Sequence, residues 1–282
     1  MSKNGYSIDE YPIFIDEQPA EKTYKTYLYA EKNGKKDRYD EVKDIVFLSD
    51  TAPDGQLLYW GWYSLTALEK QIPSCNPGRS IRLRKENIQV GDELALAKLF
   101  KEPRGTKYFL GEVFAVHPEL IPNSQRDYFS ANDTVALFEE SLKKKFAELD
   151  SLYHLSSTTR NHFKKINSHI SAKNEFAEKS KEGFAAPEEA TKLQVDIDTK
   201  AKEAEAAQNS LTSLYGKHQP DTTTGQLLSI IREKLEVKKP SEKAKTAMPS
   251  SSGKVKLKVD KYSSLKKQER KLVSQIYEVI NN

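Results

Sequence analysis

Few residues in this sequence could carry out chemistry, and their spacing separates the options. The stretch GEVFAVHPELIPNSQRDYF, residues 111–129, runs from an apolar alternation through Pro122 into a polar knot with a lone arginine, Arg126. That guanidinium can be used locally, in an ion pair with Asp127, Glu119 or Glu112, or it can be kept for a partner. His154, His162 and His169 fall on one helical segment, eight and seven residues apart. At ~1.5 Å per residue each gap is ~10 Å or more, too wide for one metal with ligands at ~2.0–2.1 Å. They read as surface histidines. Cys75, in PSCNPG, has no helix start behind it to lower its pKa and reads as a small loop residue. Trp60 and Trp62, two apart, share one side of a strand, and packing is the first expectation for them. No GxxxxGK[ST] loop is present, and no GxGxxG follows a strand.

The elements that must position these residues fall into two kinds. Up to about 130 the sequence reads as α/β. YPIFID, KTYLYA and DIVFLSD are short aromatic or β-branched runs separated by the turn signals NGKK and PDGQ. QLLYWGWYSL is a further strand, with Gly61 as a bulge or point of close approach. RSIRLRKENIQVGD alternates, with Ile81 and Leu83 on one face and Arg82 and Arg84 on the other. ELALAKLFK has helical spacing and KYFLGEVFAV alternates again, so the order strand, helix, strand predicts a βαβ unit.

From 133 the period changes. Asn132, Asp133 and Thr134 offer an N-cap. Val135, Phe138, Leu142, Phe146, Leu149 and Leu152 or Tyr153 then recur at helical spacing, continued by Phe163, Ile166, Ile170 and Phe176. Gly183 ends that helix and Pro187 opens the next, which carries Leu193, Ile197, Ala201, Ala204, Leu211 and Leu214 until Gly216 and Pro220. A helical hairpin is the expectation. TTTGQLLSIIREKLE is a shorter amphipathic helix, residues 237–253 a flexible basic linker, and 254–282 a strand followed by a C-terminal helix. The expected division is 1–132, an α/β domain; 133–236, a helical arm; the linker; and the terminal strand and helix. The fold class is α+β.

The chain has 282 residues, 37% hydrophobic and 30% charged, which suits long solvated helices beside a modest core. One cysteine excludes an intramolecular disulfide and points to a reducing, cytoplasmic setting. No apolar run approaches the ~20 residues that span a bilayer, and the first residues have no apolar signal core; no membrane partner is expected. The net charge of +4 is uneven: residues 237–271 hold twelve Lys/Arg against three Asp/Glu, which leaves the remainder at −5. That run is a solvated linker or a patch for nucleic acid.

Residues 79–132 resemble the middle-domain segment of heat shock protein 90 and its bacterial relatives among the GHKL ATPases. The strand IRLRKENIQVGD, the Gly111-Glu112-Val113 strand, Leu120, Pro122, and Asn123 three residues before Arg126-Asp127 come in the family's order. The sequence departs from the chaperones in two places: Ser130 stands where they usually have Gln, and Pro122 abuts Asn123. The resemblance implies that Arg126 reaches the γ-phosphate of ATP held by another domain, with Asn123 supporting the turn and Gln125 beside it. It implies ATP and Mg in the whole protein but no cofactor in this chain, since the family's DxGxG turn and glycine-rich lid do not occur here. The implied partners are the protein's own N-terminal ATPase domain, a second copy of the chain, and a protein client, in a chaperone-like or remodelling role. Two other readings stay open: a nucleic-acid-binding module using residues 238–271 with Arg79, Arg82, Arg84, Lys85 and Arg104, and a homo-oligomerising scaffold with no catalytic role.

Overall fold

The computed structural model describes residues 14–19, 25–184 and 186–236. The basic linker and the terminal strand and helix expected from the sequence lie outside these residues. The architecture is α+β: a mixed sheet, then a long helix and two further helices.

Strands β1 (Phe14–Ile15) and β2 (Gln18–Pro19) pair briefly. Strands β3 (Tyr27–Lys32) and β4 (Lys35–Glu41) form a hairpin. Its turn residues Asn33 and Gly34 both take positive φ, 52° and 74°, the conformation an Asn-Gly pair adopts at least cost. The main sheet contains β5 (Asp44–Thr51), β6 (Leu57–Leu65), β7 (Ser80–Lys85), β8 (Ile88–Val90) and β9 (Leu110–Ala115). Their spatial order is β5-β6-β9-β7-β8, antiparallel throughout except for the parallel pair β7–β9.

The crossover from β7 to β9 corrects one expectation. It contains no α-helix. The chain passes through β8, then turns, then two 3₁₀ segments, Ala97–Leu99 and Pro103–Tyr108. The run ELALAKLFK is too short to propagate an α-helix before Pro103 and Gly105 interrupt it. Leu96, Ala97, Leu99 and Phe100 are buried, while Lys98 stays exposed.

The core follows the strand pleat. On one face Tyr59 meets Phe138 edge-on with ring centroids 5.5 Å apart, and its hydroxyl lies 2.8 Å from Ser141 Oγ, which donates to Asp50. On the other face Trp60 stacks on Phe114 at 4.2 Å, and Trp62 completes the buried cluster. Both tryptophans are core residues. Where β6 pairs with β9, each strand contributes a glycine. A Cβ on Gly61 would come within 2.5 Å of the Glu112 carbonyl oxygen, and one on Gly111 within 2.4 Å of that of Trp62.

Helix α1 (Asp133–Glu182) is continuous over 50 residues. Asn132 Oδ1 caps it by accepting from the Val135 amide at 2.8 Å. Phe138, Leu142, Phe146 and Leu149 are buried on its first half. Gly183, at φ 95°, ends it. Helix α2 (Pro187–Lys217) buries Ala190, Ile197, Ala204, Ala207 and Leu211, spaced at sevens and then at three and four. Helix α3 (Thr223–Glu236) is anchored by Lys234, whose Nζ reaches the Tyr39 carbonyl at 2.7 Å, Asp40 at 3.0 Å and Glu69 at 2.7 Å.

Among the described residues, one compact unit takes those up to Thr158 with His218–Lys234, and a second takes Thr159–Lys217 with Leu235 and Glu236. No helix among them is long and apolar enough to cross a membrane.

Replacing Gly61 by alanine should destabilise the sheet by about 1–3 kcal/mol, because the obstacle is backbone that cannot step aside. Urea unfolding of the variant checks this; an unchanged midpoint would contradict so close an approach of β6 and β9.

Candidate functional site

The knot around Arg126 is a small, closely bonded hairpin. The Asn123 amide donates to the Tyr128 carbonyl at 2.9 Å, the Arg126 amide to the Asn123 carbonyl at 3.0 Å, and the Ser130 amide to the Ile121 carbonyl at 2.9 Å. Asn-x-x-Arg is therefore a four-residue turn, with arginine as its last member. Asn123 also donates from Nδ2 to Asp127 Oδ1 at 2.6 Å, so one side chain braces both ends of the turn. Gln125 is exposed on the tip. Arg126 has φ 55°, a left-handed conformation that branched and bulky residues avoid.

A single glycine seats this hairpin on the sheet. Gly91, just past β8, donates its amide to the Arg126 carbonyl at 2.8 Å. Its φ is +69°, and a Cβ there would meet the Asp127 carbonyl oxygen at 2.4 Å. Tyr128 and Phe129 hold the other end. Phe129 contacts Phe138 of α1 with centroids 5.7 Å apart. Lys98 Nζ lies over the Tyr128 ring at 3.7 Å and pairs with Glu139 at 2.7 Å. Burial and the neighbouring Glu139 carboxylate push the Tyr128 phenol well above its ordinary pKa.

The three carboxylates that the sequence offers Arg126, namely Glu112, Glu119 and Asp127, each have another partner. Glu112 pairs with Arg84 in a buried ion pair, and Arg84 also donates to the Asn87 carbonyl at 2.7 Å. Glu119 accepts from the Thr134 hydroxyl at the start of α1, and Asp127 holds Asn123. Arg126 is exposed and forms no ion pair among the described residues.

A groove of about 420 Å³ adjoins it, with Lys85, Glu86, Ile88, Val116, Ile121 and Arg126 along its walls. Lys85 is turned into the wall, its ammonium donating to the His117 carbonyl at 2.8 Å. Burial lowers its pKa, with Glu86 opposing. His117 is itself fixed, Nε2 lying 3.3 Å from Asp54 and Nδ1 accepting from the Glu119 amide at 3.3 Å. The apolar part of this groove was not picked out in the sequence. Ile88, Val116 and Ile121 come from three separate segments, and no local pattern links them.

The other candidates are placed as follows. His154 lies 3.4 Å from Glu102; His169 is half-buried, and burial followed by Lys173 lowers its pKa. No group of three or more His, Cys, Asp or Glu among the described residues is arranged to hold a metal ion. Cys75 is a free thiol 3.3 Å from the Tyr29 carbonyl. Arg79 pairs with Glu93, Arg104 with Glu102, and Arg82 donates to the Pro77 carbonyl and to Gln89, so these arginines are engaged within the chain. In comparisons with family models, curated proteins and solved structures, the chain matches none.

Changing Gly91 to alanine should loosen the hairpin it seats, since the backbone conformation and the space both oppose a side chain. Amide hydrogen exchange at 123–128 is expected to speed up by about tenfold or more, with a stability loss of about 1–3 kcal/mol. Unchanged exchange at those amides would show that Gly91 does not hold the loop.

Proposed function

We propose that this chain is the part of a heat-shock-90-like GHKL ATPase that does not itself bind nucleotide. Arg126 supplies a γ-phosphate contact to ATP held in a separate domain of the whole protein. One observation carries this reading: an exposed arginine, without a carboxylate partner among the described residues, ends a turn braced by Asn123 and seated by Gly91. In a nucleotide site ATP and Mg would be held by the other domain; the contribution of this chain is a planar cation with fixed charge. A guanidinium brought up by domain closure completes the site only in the closed state, which ties turnover to movement.

The placement of α1 supports the coupling half of the reading. The hairpin leads through Asn132 directly into α1, and Glu119, just before the hairpin, bonds Thr134 in its first turn. A shift of the hairpin therefore acts on the end of a 50-residue helix. Among the described residues the nucleic-acid alternative draws less support, because Arg79, Arg82, Arg84 and Arg104 are engaged within the chain; its basic run, 238–271, lies outside them.

In the whole ATPase, Arg126→Ala should lower turnover by about 30- to 1,000-fold, or ~2–4 kcal/mol of transition-state stabilisation. Arg126→Lys should fall between, since it keeps the charge and loses the fork. ATP affinity should change far less than turnover. Steady-state phosphate release checks this, and a rate equal to the parent's would remove Arg126 from the mechanism.

A further inference from the structure

Three aliphatic side chains around the Arg126 groove are unusually open to water: Ile88 is 50% exposed, Val116 44% and Ile121 59%. They belong to the start of β8, the residue after β9 and the approach to the hairpin, yet they line one groove. Single exposed aliphatics are ordinary; three that converge from separate segments form a surface whose exposure to water is unfavourable and whose burial on contact is favourable.

The charge of the groove narrows the partner. Lys85 and Arg126 are cationic and Glu86 is anionic, so the walls carry a net positive charge. Lys85 spends its ammonium on the carbonyls of Val116 and His117. The cation left to face a partner is Arg126. Among the described residues no aromatic side chain lines the groove, so none of them offers a nucleobase a stacking surface. A lone available guanidinium also cannot track a phosphate backbone.

We propose that this groove is a docking site for an extended protein segment that presents aliphatic side chains and a carboxylate on one face. The aliphatic side chains lie against Ile88, Val116 and Ile121, and the carboxylate meets Arg126. In an extended segment, residues two apart share a face and sit about 6–7 Å from each other, which suits a groove with apolar walls and one cation. This holds whether or not Arg126 also contacts a nucleotide.

The test uses the 282-residue chain and a fluorescein-labelled peptide in which two leucines and an aspartate occupy alternate positions, with threonines between. Fluorescence anisotropy should show saturable binding that weakens with salt. A matched peptide with serine for leucine, and one with lysine for aspartate, should bind at least about tenfold more weakly. Ile121→Asp and Arg126→Ala should each weaken the first peptide by about tenfold or more, while Val195→Asp, at an exposed site on α2, leaves it unchanged. Both altered groove residues are exposed, so neither change threatens folding. Equal binding of all three peptides, no saturation, or indifference to both groove variants would overturn the proposal. So would displacement of the peptide by an oligodeoxythymidylate that binds more tightly, which would assign the groove to nucleic acid.

Discussion

The close approach of Gly91 to the 123–128 turn is the contact on which the exposed arginine depends. Backbone meets backbone there, with an amide-to-carbonyl bond of 2.8 Å and no room for a Cβ. A loop held by its own main chain does not need its side chains for anchorage. Arg126 is thereby freed from the structural duty that most arginines in this chain perform. The contrast with Arg84 is direct: that residue is buried against Glu112 and ties the β7–β8 turn. Removing one partner of so enclosed a pair would strand a charge; removing the Arg126 side chain would strand none among the described residues.

Around that contact the sheet acts as a rigid seat. β6 and β9 approach closely at two glycines, and the parallel pairing of β7 with β9 brings Lys85 beside Ala115, at the end where the groove opens. From there the chain runs through Asn132 into α1 without an intervening linker. Loop, groove and helix start are therefore one mechanical neighbourhood, in which whatever engages Arg126 also bears on the helix that follows.

Much of this was legible in the sequence, for identifiable reasons. The alternation of QLLYWGWYSL and of KYFLGEVFAV, the helical stripe from Val135 and the break at Gly183 and Pro187 each have a single period, and each element formed where its period placed it. Gly61 was readable as either a bulge or a point of close approach, because glycine inside a strand has few other uses. The segment 93–101 misled because apolar spacing alone does not show whether a short run can propagate as a helix before Pro103. The groove was invisible because its three aliphatics are brought together only by the crossover. Arg126 stood out by its position, but its freedom could not be read until Glu112, Glu119 and Asp127 were seen to be occupied. The resemblance to the heat-shock-90 relatives suggested a role for it; the structure shows an exposed side chain with no ion pair among the described residues.

The proposed proximity of residue 126 to the end of a nucleotide is best tested by covalent capture. In the ATPase proposed to contain this chain, Arg126→Cys and Ser124→Cys would each be exposed to an ATP analogue with a thiol-reactive group on its γ-phosphate, and labelling followed by mass spectrometry. Selective modification at 126, suppressed by excess ATP and much weaker at 124, is the predicted result. Equal labelling at both positions, or labelling at 126 that ATP does not suppress, would contradict a contact between this turn and the terminal phosphate.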